Sequence, residues 1–253
     1  MTAAPVGFQC PDCVREGAAS IPQVRTPYGG KVSERPYATL GIIAICVAVF
    51  VLEFISGGAD QAAVKYGSLP AATVLNGEWW RLLSSGFLHV DVIHIALNMY
   101  VLYLLGPSLE RVFGHWRFTA LYGLSLLGGS VASFVFSPIL QPSIGASGAI
   151  FGLMGAYVIV GRQVGVQLNA ILVLIGINLV LGFVIAGIDW RAHLGGLVTG
   201  SVVAAILVHA PRGRYRTLIQ VVGCLAVLAV LMAVAYGHAD DVREAYARLL
   251  LGT

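Results

Sequence analysis

Long apolar runs separated by short polar breaks dominate this chain. Seven of them, at 38–56, 90–108, 117–136, 147–161, 168–187, 192–209 and 217–236, come near the roughly 17–25 residues that a helix needs to cross a bilayer. The fourth is the shortest and is rich in glycine. Residues 1–36 are polar and rich in Pro and Gly, which predicts a flexible extension and no cleavable signal peptide. The segment 57–89 between the first two runs is too long for a simple turn. Its Leu69, Pro70, Val74, Leu75, Trp79, Trp80 and Leu83 suit a membrane interface. The loop 137–146 is uncharged and holds Pro138 and Pro142, and the basic run 211–216 stops the sixth apolar stretch. Residues 237–253 are expected to form a short tail of one amphipathic turn or two.

Composition turns this pattern into a class. Of 253 residues, 58% are hydrophobic and 11% charged, with a mean hydropathy of +0.85. A soluble domain carries about 25% charged residues, so the pattern is that of an all-α polytopic membrane protein. Orientation follows from Lys and Arg in the short loops. With the N-terminus in the cytoplasm, Arg15, Arg25, Lys31, Arg35, Arg111, Arg117, Arg162, Arg212, Arg214 and Arg216 lie inside, ten in all. Lys65, Arg81, Arg191, Arg243 and Arg248 lie outside, which is five. The C-terminus is then outside, in a plasma membrane. The net charge of +3 mostly reflects this inner excess and points to no nucleic-acid partner.

Cys46 and Cys224 stand alone in apolar runs and read as packing residues. Cys10 and Cys13 form a C-x-x-C in the polar tail, where a cytoplasmic disulfide is not expected. Tetrahedral zinc takes four ligands, so a half-site completed by a second chain and a degenerate or reactive thiol pair both stay open. No internal repeat is present, which removes the paired-repeat signature of secondary transporters.

Chemistry concentrates at two run entrances, Ser147 and His193, placed at similar depth near the outer face. Gly148, Gly152 and Gly155 make a small face on one helix, and Gly196 and Gly200 make another, allowing close approach. Taken singly, such glycine pairs mean packing, and a membrane serine ordinarily bonds back to its own helix. Together they set a hydroxyl before an imidazole. A serine hydroxyl is a weak nucleophile until a base takes its proton, and neutral histidine suits that role. His94 and Asn98 are four apart and share a helix face. They either bridge helices or donate to a developing oxyanion, beside the free N–H groups that open the Ser147 helix.

These segments resemble the rhomboid family of intramembrane serine proteases from about Trp79 to about Gly200. Trp80-Arg81 is similar to the family's Trp-Arg pair, and His94 with Asn98 to its H-x-x-x-N. Gly106, Glu110 and Gly114 resemble its G-x-x-x-E-x-x-x-G. Gly145, Ser147, Gly148, Phe151 and Gly152 fit G-x-S-G-x-x-F-G, and His193, Gly195, Gly196 and Gly200 fit A-H-x-G-G-x-x-x-G. The resemblance implies a rhomboid-like six-helix bundle at 38–210, after a tail at 1–37 and before a seventh helix and outer tail at 211–253. It implies a Ser147–His193 dyad, an oxyanion hole of His94, Asn98 and the Ser147 N–H, and Phe151 stacked on the histidine. It implies no cofactor, and single-span membrane proteins as substrates. Arg81 is expected to hold loop carbonyls, and Glu110 to satisfy backbone N–H groups at the inner end of the second span. Asp189, four residues before His193, is expected to cap its helix rather than to serve as a triad acid. A non-cutting scaffold is disfavoured because Ser147 and His193 are both present. A transporter is disfavoured because Glu53 stands without a chain of partner acids.

Overall fold

The computed structural model describes residues 2–3, 7–20, 25–32, 35–56, 65, 67, 70–185 and 187–252. A two-residue strand pair, β1 (Thr2–Ala3) with β2 (Phe8–Gln9), precedes α1 (Pro11–Ser20). The remainder is helical: α2 (Tyr37–Ile55), α3 (Pro70–Leu75), α4 (Arg81–Ser84), α5 (Val92–Phe113), α6 (His115–Phe136), α7 (Ser147–Val164), α8 (Asn169–Val184), α9 (Trp190–His209), α10 (Arg216–Gly237) and α11 (Ala239–Leu251). The seven apolar runs are α2 and α5 to α10. Six of these are long and apolar enough to span, α10 running on with α11, whereas α8 is a shorter apolar helix. This is a multi-pass membrane protein.

At the centre of the bundle, α9 packs along both α6 and α7. Lipid tails are as apolar as leucine, so membrane helices associate through close packing rather than through exclusion of water. Glycine supplies that closeness. A β-carbon on Gly196 would overlap the backbone of Gly148, and one on Gly200 the backbone of Gly152. Around this seam Phe118, Leu121, Leu126, Leu153, Val203 and Leu207 are buried, while α2, α8 and α10 turn many apolar side chains outward.

The second run ends later than its hydropathy suggests. Helix α5 passes through Pro107 and stops at Gly114, which holds φ at 78°. The reason is Glu110, whose carboxylate accepts from the N–H groups of Ala38 and Thr39, both at 2.8 Å, and from Thr39 Oγ1 at 2.6 Å. His115 Nδ1 is a further partner. The N–H groups that Glu110 satisfies therefore belong to the first membrane helix, not to the second as expected. A helix C-terminus has free carbonyls and no free N–H, whereas the start of α2 has free N–H groups and no side-chain cap of its own. Gly106, one turn away, lets the Thr39 side chain sit against α5. Glu110→Ala would strand these buried donors, at a cost of about 1–3 kcal/mol, so the melting temperature in detergent should fall by on the order of 5 °C. An unchanged melting temperature would refute this role.

Part of the N-terminal extension is fastened down. The Tyr28 ring is buried against Phe113, with centroids 5.3 Å apart. The Pro27 carbonyl accepts from Arg216 at 2.8 Å, and the Tyr28 carbonyl from Gln220 at 3.2 Å. Gln220 also accepts from the buried Arg117 at 2.8 Å. Residues 25–32 thus differ from the expected flexible tail, because their carbonyls meet side-chain donors on the first two turns of α10. Further out, the Cys13 N–H donates to Cys10 Sγ at 3.0 Å, with both thiols free and exposed. Cys46 and Cys224 are buried.

At the opposite end, Val74, Trp79 and Leu82, from the segment between α2 and α5, join Phe134 of α6 and Ala235, Ala239 and Val242 of α10 and α11. Leu69 lies outside the described residues. The C-terminal tail is a 13-residue helix rather than one or two turns. Its Asp240–Arg243 and Glu244–Arg248 pairs, spaced three and four residues apart, support a length that hydropathy does not reveal.

Candidate active site

The reactive pair is set by two helix starts. Ser147 is the first residue of α7, reached through Gly145, which holds φ at 122° and whose N–H donates to the Ser85 carbonyl at 2.9 Å. A β-carbon at Gly145 would lie 2.8 Å from the His94 ring, so only glycine leaves that imidazole its place. His193 sits in the first turn of α9. That turn is capped by Asp189, whose Oδ1 accepts from the N–H groups of Arg191 at 3.1 Å and Ala192 at 3.3 Å. This is the cap that the sequence suggested.

Packing of α7 on α9 brings His193 Nε2 to 2.9 Å from Ser147 Oγ. The Phe151 ring, one turn below Ser147, stacks on the imidazole with centroids 4.2 Å apart and planes 13° apart. Among the described residues, His193 Nδ1 has no hydrogen-bond partner. Asp189 is therefore bonded to backbone while the ring is held by stacking.

The pair lines a cavity of about 780 Å³. Ser85, His94, Asn98 and Ser130 supply its polar wall, and Leu97, Val101, Ile150 and Met154 an apolar one. His94 and Asn98 share the α5 face that looks into it, the Asn98 amide donating to the His94 carbonyl at 2.9 Å. The start of α5 is capped by Asp91, which accepts from the His94 N–H at 2.7 Å. Gly148, Gly152, Gly196 and Gly200 form the seam beneath the pair rather than its lining, apart from Gly148. Trp80, just before α4, is half exposed, with the Arg81 guanidinium 5.3 Å from its ring centroid. Arg81 itself is buried, donating to the Gly67 carbonyl at 3.1 Å and to Glu78 at 2.5 Å.

Four buried or cavity-lining residues, His89, Ser85, Ser130 and Asn178, escaped the sequence reading, and Glu53 entered it only as a lone acid. His89 is fully buried, its ring 5.1 Å from that of His94. Burial, with repulsion from His94 added, pushes its imidazole down to about 4, so it stays neutral near pH 7. Ser85 and Ser130 face each other at 3.3 Å. Glu53 is buried with neither carboxylate oxygen hydrogen-bonded among the described residues. Asn178 of α8 reaches the cavity wall. A signal for them was available: polar side chains in or beside apolar runs mark functional interiors more often than lipid-facing surface.

As chemistry, the arrangement offers a hydroxyl bonded to a base, a ring that fixes the base, and donors around the hydroxyl in a partly polar cavity. Sequence comparison agrees with the setting. A family model described as Rhomboid domain matches residues 76–210. The chain is 38% identical to the rhomboid protease GluP of Bacillus subtilis (strain 168) over 213 residues, covering 80% of this chain and 40% of that protein. It is 33% identical to a putative rhomboid protease, YdcA, of the same bacterium over 150 residues, covering 56% of this chain and 74% of that protein. With RHOMBOID-like protein 4 of Arabidopsis thaliana the identity is 39% over 154 residues, covering 57% and 38% of the two chains. The chain thus spans well under half the length of GluP and of the plant protein.

Proposed function

The chain belongs to the rhomboid family, and from that premise we propose that it is an intramembrane serine endopeptidase whose substrates are single-span membrane proteins. The observation that carries this reading is the 2.9 Å contact between Ser147 Oγ and His193 Nε2 on the wall of a cavity. In the proposed cycle, Ser147 Oγ attacks the scissile carbonyl carbon while His193 Nε2 takes its proton. The resulting oxyanion is held by the Ser147 N–H at the positive end of α7, by His94 and by Asn98. Collapse breaks the C–N bond, and His193 returns the proton to the leaving amine. Water then attacks the acyl-enzyme, again deprotonated by His193, releasing the new carboxylate and restoring Ser147.

Water must reach the ester, so the polar wall of Ser85, Ser130, His94 and Asn98 is read as its access from the outer face. With the N-terminus cytoplasmic and the C-terminus outside, that face is the outside of a plasma membrane. A peptide bond inside a helix is shielded by its own hydrogen-bond ladder. Segments loosened by Gly or Pro are therefore the favoured substrates.

The test is cleavage of a generic single-span protein by purified enzyme in detergent, run beside Ser147→Ala. Cleavage by wild type alone supports the reading, whereas retention of the substrate without any cut would make the protein a scaffold. The role of Asp189 is tested separately. Asp189→Asn keeps a capping oxygen and removes the charge, so turnover should stay within a few-fold across pH 6–8. A triad aspartate exchanged for asparagine loses about 10⁴ in turnover, and a drop of that size would refute the capping assignment.

A further inference from the structure

After its first residue, helix α8 carries only apolar side chains and glycines, with one exception, which lines the active-site cavity. That exception is Asn178, a half-buried residue of the apolar helix α8. It lies six residues before Val184, the end of α8, or about 9 Å along the helix axis. Its amide nitrogen donates to the Leu174 carbonyl of its own helix at 2.9 Å. Among the described residues, no donor is recorded for its Oδ1. A carboxamide in a membrane helix costs free energy unless something answers it. Here the acceptor stands on the wall of the cavity that holds Ser147 and His193.

A substrate segment that enters the cavity brings donors of its own. To be cut it must unwind, and each unwound residue exposes a backbone N–H in an apolar place, which is unfavourable if left unpaired. We propose that Asn178 is a specificity-determining residue whose Oδ1 accepts a hydrogen bond from a backbone N–H freed where a substrate's membrane helix unwinds. This deepens the protease reading and rests on it. It selects segments that open readily near the cut, through Gly, Pro or short polar side chains, over uninterrupted leucine-rich helices. The contact involves no reacting atom and forms with substrate and transition state alike, so it acts on binding rather than on the chemical step.

The experiment compares steady-state kinetics of the full chain, wild type and Asn178→Leu, in lipid vesicles on a single-span substrate carrying a Gly-Pro break. Leucine has the same branching and number of side-chain heavy atoms and is better suited to an apolar helix, so the fold should persist, as an unchanged melting temperature would show. The expected result is a three- to tenfold rise in KM with kcat retained, the scale of one lost hydrogen bond. Asn178→Gln, which keeps the carboxamide, should recover most of the difference. Should Asn178→Leu melt early, Asn178→Ala replaces it in the same comparison. A KM within twofold of wild type overturns the inference, and so does a fall in kcat at unchanged KM. Failure of the underlying reading looks different: wild type itself would show no Ser147-dependent cleavage.

Discussion

Replacing His193 with alanine is expected to bring turnover down to the floor reached by Ser147→Ala, and the double substitution should go no lower. Oγ and Nε2 are 2.9 Å apart and share one proton-transfer path, so each group is useless to the chemistry without the other. Residues that act as a unit lose their effect together. In a well-studied serine protease, removing either nucleophile or base costs about 10⁶ in turnover, nearly as much as removing the whole set. A fluorophosphonate probe should label wild type, fail on Ser147→Ala, and react very slowly with His193→Ala. All three variants should retain the wild-type melting temperature to within a few degrees, since both side chains face the cavity rather than the helix seam. Independent, multiplying losses in the double variant would overturn the dyad, as would substantial cleavage by either single variant.

Gly196→Val should cost stability and activity together. The position has no room: a single β-carbon overlaps the Gly148 carbonyl, and backbone cannot rotate aside as a side chain can. Helices α7 and α9 must separate, and overpacking of this kind costs typically about 1–3 kcal/mol. The melting temperature should therefore fall by on the order of 5–10 °C. The same displacement moves His193 away from Ser147, and a misplacement of about 1 Å between reacting groups costs about 10² in rate. Surviving folded molecules, sorted by size exclusion, should show both slow cleavage and slow probe labelling. Wild-type rates in that fraction would separate the glycine seam from the geometry of the pair.

Much of this was legible in the chain. Hydropathy located each membrane helix to within about five residues, because transfer of apolar length into lipid depends on composition alone. The exceptions share a cause. Helix α5 outruns its apolar stretch because Glu110 is held by Ala38 and Thr39, which lie over seventy residues away in sequence. Residues 25–32 read as a loose tail because nothing local reveals that Arg216 and Gln220 will wait for their carbonyls. His89 and Glu53 looked incidental beside the spaced motifs, and burial alone makes them notable.

The sequence by itself determined that the chain is a helical membrane protein, that Ser147 and His193 open two glycine-faced helices, and that His94 and Asn98 share a third face. Those properties are local, set by hydropathy and helical period. Only the tertiary structure decided that the hydroxyl and imidazole meet at 2.9 Å, that Phe151 lies parallel to the ring, and that Asn178 reaches the cavity wall. Each of these depends on the separation and rotation of two helices. Contacts between glycine backbones far apart in the chain set that separation, and no periodicity records it.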